Sequence, residues 1–353
     1  MVARALTRAK RPVGNVAYLH HSDADGRCVR GNRGQLLPTT VIAKKRGPQQ
    51  YGVMVPNPYW DFGATLAAAA QATPWARRDS RPFWRGSLRR PKRGCEADSG
   101  NYVRFLAMTL TVGHPRHFDV KATSMPPAYA NESLLRRQAC VDLDGVLGRA
   151  RVPHILANLD RALDTQIRED AYYTKFKMLV HLPGSTTGSY SRNLNKLWAC
   201  GSVVLYWNHS AYEHYYAGLE DGRTHLIVNV TTAKDAAERV LSDEALAARL
   251  RQGAADVQRD LVCAECLSDY LVETLRTLRS HHRGDLSFDT RESLRETLNG
   301  VNCTALDLRE FAAGRRHVPS PIPPASTAPA AHEDPACLAL VNIAFPPRTG
   351  GGS

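Results

Sequence analysis

Long apolar runs are missing from this 353-residue chain: none approaches the ~18 consecutive apolar residues that a membrane-crossing helix needs. The opening segment, MVARALTRAKRPVG, is basic and lacks the apolar centre of a signal peptide. A soluble protein with no visible export signal is therefore expected. Carboxylates are scarce at one end: residues 1–94 hold 18 Lys and Arg against 4 Asp and Glu, an excess of 14 that exceeds the net charge of +12 for the whole chain. Such a region suits nucleic acid, an acidic polymer or phosphates, or is a solvated basic surface. No zinc finger, RNA-recognition signature or basic-zipper repeat occurs, so a nucleic-acid partner is not expected. No internal repeat is present.

The eight cysteines (Cys28, Cys95, Cys140, Cys200, Cys263, Cys266, Cys303 and Cys337) are scattered and lack the pattern of a small disulfide scaffold. Cys263-Ala-Glu-Cys266 is a lone CxxC. Zinc would need a second ligand pair at suitable spacing, and none follows. The pair lies in a strongly helical stretch and reads as two cysteines on a helix face. Asn-x-Ser/Thr sites stand at Asn131, Asn208, Asn229 and Asn302 and matter only in a secretory protein.

Apolar residues make up 43% of the chain, enough for a real core and for two domains. VGNVAYLH (13–20) reads as a short strand, and LLPTTVIAKK and YGVMVPNPYW as extended pieces broken by Pro38, Pro56 and Pro58. ATLAAAAQA (64–72) reads as an alanine-rich helix and PFWRGS as a strand. HILANLDRALDTQIR (154–168) mixes helical spacing with polar residues. FKMLVHLP, GSVVLYW and THLIVNV are apolar enough for buried strands, with a helix at RNLNKLWA. Residues 233–280 read as two helices, AKDAAERVLSD and then EALAARL continuing through CLSDYLVETLRTL. Apolar strands alternating with helices argue for α/β and a parallel sheet covered on both faces. VPSPIPPASTAPAAHEDP (318–335) is a linker or tail by composition.

Between FKMLVHLP and RNLNKLWA the chain runs Gly184-Ser-Thr-Thr-Gly188-Ser189-Tyr190-Ser191-Arg192-Asn193. Small residues let backbone approach a ligand, N–H groups at a helix start attract anions, and hydroxyls add donors. The other reading is a flexible loop capped by Ser191. Its place at the carboxyl end of a predicted parallel strand is where such folds bind ligands.

Four segments, in order, resemble the CAP10-type glycosyltransferases (glycosyltransferase family 90), which include protein O-glucosyltransferases and fungal capsule xylosyltransferases. They are YGVMVPNPYW, RPFWRGSLRR, the block YYTKFKMLVHLPGSTTGSYSRNLNKLWACGSVVL, and YEHYYAGLEDGRTHLIVN. The resemblance covers roughly residues 15–280. It implies a GT-B-like fold of two Rossmann-like halves. Here the N-terminal, acceptor-side half (1–80) is reduced or truncated, the UDP-sugar-binding half spans 81–282, and 283–353 is a tail with short helices. It implies inverting transfer of glucose or xylose from a UDP-sugar co-substrate to a hydroxyl of a protein or glycan, with no metal and no other cofactor. It also implies a secretory-lumen location.

Residue by residue, Ser87 matches a family serine at the donor, and Arg104 falls near the arginine that binds the diphosphate. The family arginine closing the loop aligns with Asn193, with Arg192 one place earlier; the family lysine after it aligns with Asn195, with Lys196 adjacent. Gly184, Gly188, Ser189, Tyr190 and Ser191 complete the implied donor-binding set. The general base aligns with Asp23 of LHHSDADG, with His20 at a family asparagine; Asp25 competes, and two surface aspartates in a turn is the plain alternative. Trp84 reads equally as core; Arg85 has the alternative of a buried structural arginine paired with a carboxylate, Arg104 that of a surface arginine, and Tyr215, Tyr216 and His214 read as donor contacts or, more often for an aromatic helix face, as packing. The competing readings of the whole chain are a CAP10-like protein that binds a nucleotide or glycan without catalysing, and a basic nucleic-acid binder.

Overall fold

The computed structural model describes residues 19–21, 39–45, 52–57, 63–88, 100–133, 135, 142–184, 193–209 and 211–281. Thr40–Leu267 falls in one compact unit, and the chain from Ser268 onward falls in a second. The strands are β1 (Leu19–His21), β2 (Thr39–Val41), β3 (Ala43–Lys45), β4 (Val53–Met54), β5 (Phe83–Ser87), β6 (Asp119–Ser124), β7 (Met178–His181), β8 (Val203–Trp207), β9 (Ala211–Glu213) and β10 (Leu226–Val228). The helices are α1 (Gly63–Ala72), α2 (Gly100–Gly113), α3 (Leu143–Leu147), α4 (Val152–Ala157), α5 (Leu194–Leu197), α6 (Ala233–Ser242), α7 (Glu244–Asp260) and α8 (Ala264–His281).

Five strands form one sheet in the order β10-β8-β7-β5-β6, and every pairing in it is parallel. Side chains alternate across a strand with period two, and here both faces are apolar. Trp84, Met178, Val180, Val203, Leu205 and Trp207 enter one core with α2, α4 and α6. Phe83, Leu179, Val204 and Tyr206 enter a second with α1 and α5. This is the expected α/β class with a parallel sheet covered on both faces. Numbered from its first strand, β5, the sheet has the doubly wound order 2-1-3-4-5, with its topological switch between β5 and β7.

The extended pieces near the N-terminus are strands of small sheets: β2 pairs parallel with β4, and β3 pairs antiparallel with β9. The alanine-rich helix forms as read; the chain then leaves it at Thr73-Pro74, where Pro74 cannot continue a helix. Arg78, 7% exposed, bolts the end of α1 to the turn after α5 by donating to the carbonyls of Ala70, Thr73, Cys200 and Gly201 and to Ser202 Oγ.

Several elements differ from expectation. Segment 154–168 is helical only to Ala162, as α4 and a single 3-10 turn, because Leu163 leaves to bridge Ala122 of β6. RNLNKLWA gives a helix of four residues followed by a 3-10 turn. Residues 233–281 make three helices, not two. α7 stops at Asp260, where Leu261 and Val262 turn toward the second core and their N–H groups both donate to the Val257 carbonyl. The CxxC is therefore not on one helix face: Cys263 lies in the turn before α8 and is disulfide-bonded to Cys266 in its first turn. Finally, α2 and β6 carry no expected counterpart.

Candidate functional site

In an open parallel sheet, strands on either side of the switch point send their following segments in opposite directions and leave a crevice at the carboxyl ends. Here those ends are Ser87 of β5 and His181-Leu182-Pro183-Gly184 after β7. Arg104, on the first turns of α2, reaches both. Its Nη1 donates to the Ser87 carbonyl at 2.7 Å and its Nε to the Pro183 carbonyl at 2.9 Å. The guanidinium carbon stands 5.5 Å from the centre of the Trp84 ring. Planar donors in a fixed fork suit this bridging, and an ammonium would not reproduce it. The helix is held for the task by Val103, Leu106, Ala107 and Leu110, a buried stripe at helical spacing on the first core.

The structure thus brings Ser87, Arg104 and the segment ending at Gly184 together. Ser87 takes part through its carbonyl oxygen. Gly184 is buried directly after Pro183. Asn193 precedes α5 and its side chain makes no capping hydrogen bond; its carbonyl accepts from the N–H groups of Lys196 and Leu197. With four residues α5 has little dipole, so among the described residues Arg104 supplies fixed positive charge at these strand ends. At and beside the family lysine position, Asn195 Oδ1 accepts from Tyr215 Oη at 2.8 Å and Lys196 pairs with Asp170. Asp23, Asp25, Gly188, Ser189, Tyr190, Ser191 and Arg192 lie outside the described residues.

Three side chains with open alternatives have structural partners. Trp84 is 3% exposed in the first core. Arg85 is a buried arginine between two carboxylates, at 2.9 Å from Asp119 and 3.0 Å from Asp164. Burial pushes the Asp164 carboxyl up, but hydrogen bonds from Arg168, the Gln166 N–H and Arg85 outweigh this and hold it at about 2. Tyr215 packs in the second core.

Sequence reasoning missed a polar cluster beside these strand ends. His181 ends β7 and is register partner to Tyr206 of β8. His181 Nε2 lies 3.1 Å from His209 Nε2, which lies 3.2 Å from Tyr206 Oη. Burial, then His209, His225 and the Arg104 charge, hold the His181 pKa well below its usual range, so the ring is neutral. Facing each other through Nε2, the two rings share one hydrogen bond, in which one nitrogen donates and the other accepts. His181 Nδ1 has no hydrogen-bond partner among the described residues. Glu213 of β9 was missed too. It is 1% exposed, accepts from Asn57 Nδ2 at 3.1 Å, and burial raises its pKa to about 8. The only sequence signal for these groups was position, a histidine closing the apolar run FKMLVHLP.

A cavity of about 200 Å³ lies toward the other end of α2, lined by Thr109, His114, Arg151, Thr231 and Lys234 among others. It does not include Arg104 or the β5 and β7 ends.

No protein-family model matches the chain, and no curated protein matches it in sequence. Among solved structures it is similar to a glycosyltransferase of Rickettsia africae, at 11% identity and TM-score 0.37, over 68% of this chain and 63% of that one. It is also similar to sucrose-phosphate synthase of Thermosynechococcus elongatus, at 15% identity and TM-score 0.37, over 67% and 55%. An Anabaena protein solved in complex with UDP and glucose matches at 12% identity and TM-score 0.34, over 61% and 52%. The chain spans less than two thirds of the length of each of these three structures, to which it is similar and with which it shares little sequence.

Proposed function

We propose that the chain binds the diphosphate of a UDP-sugar at the β5–β7 switch point and transfers the sugar to a hydroxyl of a protein or glycan. The observation that carries this reading is Arg104, a guanidinium fixed by two main-chain carbonyls at the carboxyl ends of the two strands that flank the switch. Transfer breaks the bond between the anomeric carbon and the diphosphate, and negative charge builds on the leaving oxygens. A preorganised cation there stabilises the transition state without reorganising. One such group is worth ~3 kcal/mol, or a hundredfold or more in rate. The glycine- and serine-rich loop from Gly184 to Asn193 supplies further donors in this reading, with Gly188, Ser189, Tyr190, Ser191 and Arg192.

Inversion is one displacement: the acceptor oxygen attacks the anomeric carbon, UDP leaves, and a carboxylate takes the hydroxyl proton. Asp23 is the proposed base, with Asp25 the alternative, and such a base contributes ~10²–10⁴-fold. Glucose or xylose as the sugar, a two-halved GT-B arrangement, a secretory-lumen setting and independence from metal follow the family resemblance and are part of the proposal.

UDP in the presence of a chelator tests it. At a free concentration one hundred times its dissociation constant, UDP should stabilise the chain by ~2.7 kcal/mol, seen as a rise in melting temperature. Absence of a shift with UDP and with every UDP-sugar would overturn the reading. Binding without release of sugar from any donor would leave a nucleotide-binding protein. Donor hydrolysis that survives Asp23→Asn and is lost in Asp25→Asn would reassign the base.

A further inference from the structure

The Cys263–Cys266 pair has a placement that the transfer reaction does not use. The bond spans two residues at the start of α8, an 18-residue helix, with Cys263 in the turn before it and Cys266 in its first turn. Both cysteines are partly exposed. Their surroundings differ. The Cys266 N–H donates to Cys263 Sγ at 2.9 Å. Cys266 Sγ instead lies 3.2 Å from the carbonyl oxygen of Arg259. A sulfur that receives an N–H at a helix start is favoured as thiolate, whereas a sulfur facing a carbonyl is favoured as thiol, because only S–H can donate to that oxygen. The charged groups nearest in sequence are Arg259 and Asp260, which pair with each other at 2.6 Å, and Glu265 and Asp269 on α8.

We propose that Cys263 and Cys266 form a reversible dithiol–disulfide site that exchanges with low-molecular-weight disulfides, with Cys263 as the attacking sulfur and Cys266 as the resolving one. In the reduced chain the Cys263 thiolate attacks one sulfur of the small disulfide. The Cys263–S bond forms, the small disulfide's S–S bond breaks, and the first small thiolate leaves. Cys266 then loses its proton to water and attacks Cys263 Sγ. The Cys263–Cys266 bond forms and the second small thiolate leaves. The cysteine pair is oxidised by two electrons and the small disulfide is reduced by two to a pair of thiols. The remaining described cysteine, Cys200, is buried at 0% exposure, and burial pushes its thiol up to about 12, so it takes no part.

The full chain is reduced under native conditions and given limiting iodoacetamide at pH 7, and each cysteine is followed by peptide mass spectrometry. Cys263 should alkylate at least tenfold faster than Cys266. In C266S, oxidised glutathione should leave one glutathione on Cys263, while C263S should leave Cys266 unmodified. Comparable alkylation rates overturn the assignment, and this measurement needs no substitution that could disturb folding. A pair that stays oxidised in millimolar reduced glutathione, or that never pairs in oxidised glutathione, overturns exchange itself.

Discussion

Replacing Glu213 by glutamine keeps an oxygen that can accept from Asn57 Nδ2 and exchanges the ionisable oxygen for an amide NH2 that does not titrate. The side chain is 1% exposed and its pKa is raised from 4.5 to about 8 by burial, against the opposing hydrogen bonds from Asn57 and Tyr216. In the folded chain the carboxyl therefore stays protonated through neutral pH, whereas in the unfolded chain it ionises near its ordinary value. The unfolded state then binds fewer protons, so wild-type stability is fully present below about pH 4.5, falls as pH rises, and levels off once the folded group ionises near pH 8. At ~1.4 kcal/mol per pH unit the whole fall is on the order of 5 kcal/mol. Glu213→Gln does not take part in it. The variant should match the wild type at pH 4.5, exceed it by ~3 kcal/mol at pH 7 and exceed it further at pH 8. Urea denaturation at the three pH values reads this difference directly. A difference that stays constant with pH, or a variant less stable than wild type at pH 8, refutes a neutral buried Glu213.

Arg104→Lys keeps the charge but loses the fork that holds two carbonyls; it should cost ~1–2 kcal/mol in denaturation and weaken UDP binding tenfold or more by calorimetry. Unchanged UDP affinity would remove Arg104 from the proposed site. Arg85→Met strands Asp119, which retains Lys121 at 3.7 Å, and should destabilise by ~3–5 kcal/mol with partial recovery in Arg85→Met/Asp119→Asn. Additive losses in that pair would contradict the coupling. Gly253→Ala drives a Cβ into the Arg223 carbonyl oxygen, so it should lower stability by ~1–3 kcal/mol although alanine is the better helix former. A rise in melting temperature would show that the backbone there yields.

Strands β7 and β8 were legible because both of their faces are buried, and such strands carry unbroken apolar runs. β6 was not: DVKATS alternates Val120 and Ala122 with charged neighbours, and Asp119 is tolerated inside only because Arg85, distant in sequence, pairs with it. α2 was hidden by its own composition. Gly100, Val103, Thr109, Thr111 and Val112 are weak helix formers, and burial of one face overrides propensity. The break between α7 and α8 escaped for the opposite reason, since Leu261 and Val262 suit a helix but are drawn into the second core. Within the site, the small-residue loop was visible as composition, and the β5–β7 junction only as two separate segments. The histidine cluster had no local signature: parallel register sets His181 at the end of β7 beside Tyr206 of β8, and the chain leaving β8 brings His209 back to both.

The two carbonyl bonds of Arg104 have a bearing on any anion that settles between the strand tips. A long arginine side chain normally surrenders ~2 kcal/mol of rotameric freedom when it is immobilised. Here that freedom is given up as the polypeptide collapses, long before a visitor arrives. Association then draws on charge and hydrogen bonding with little ordering left to oppose it, and the Arg104 side chain should move little when an anion binds.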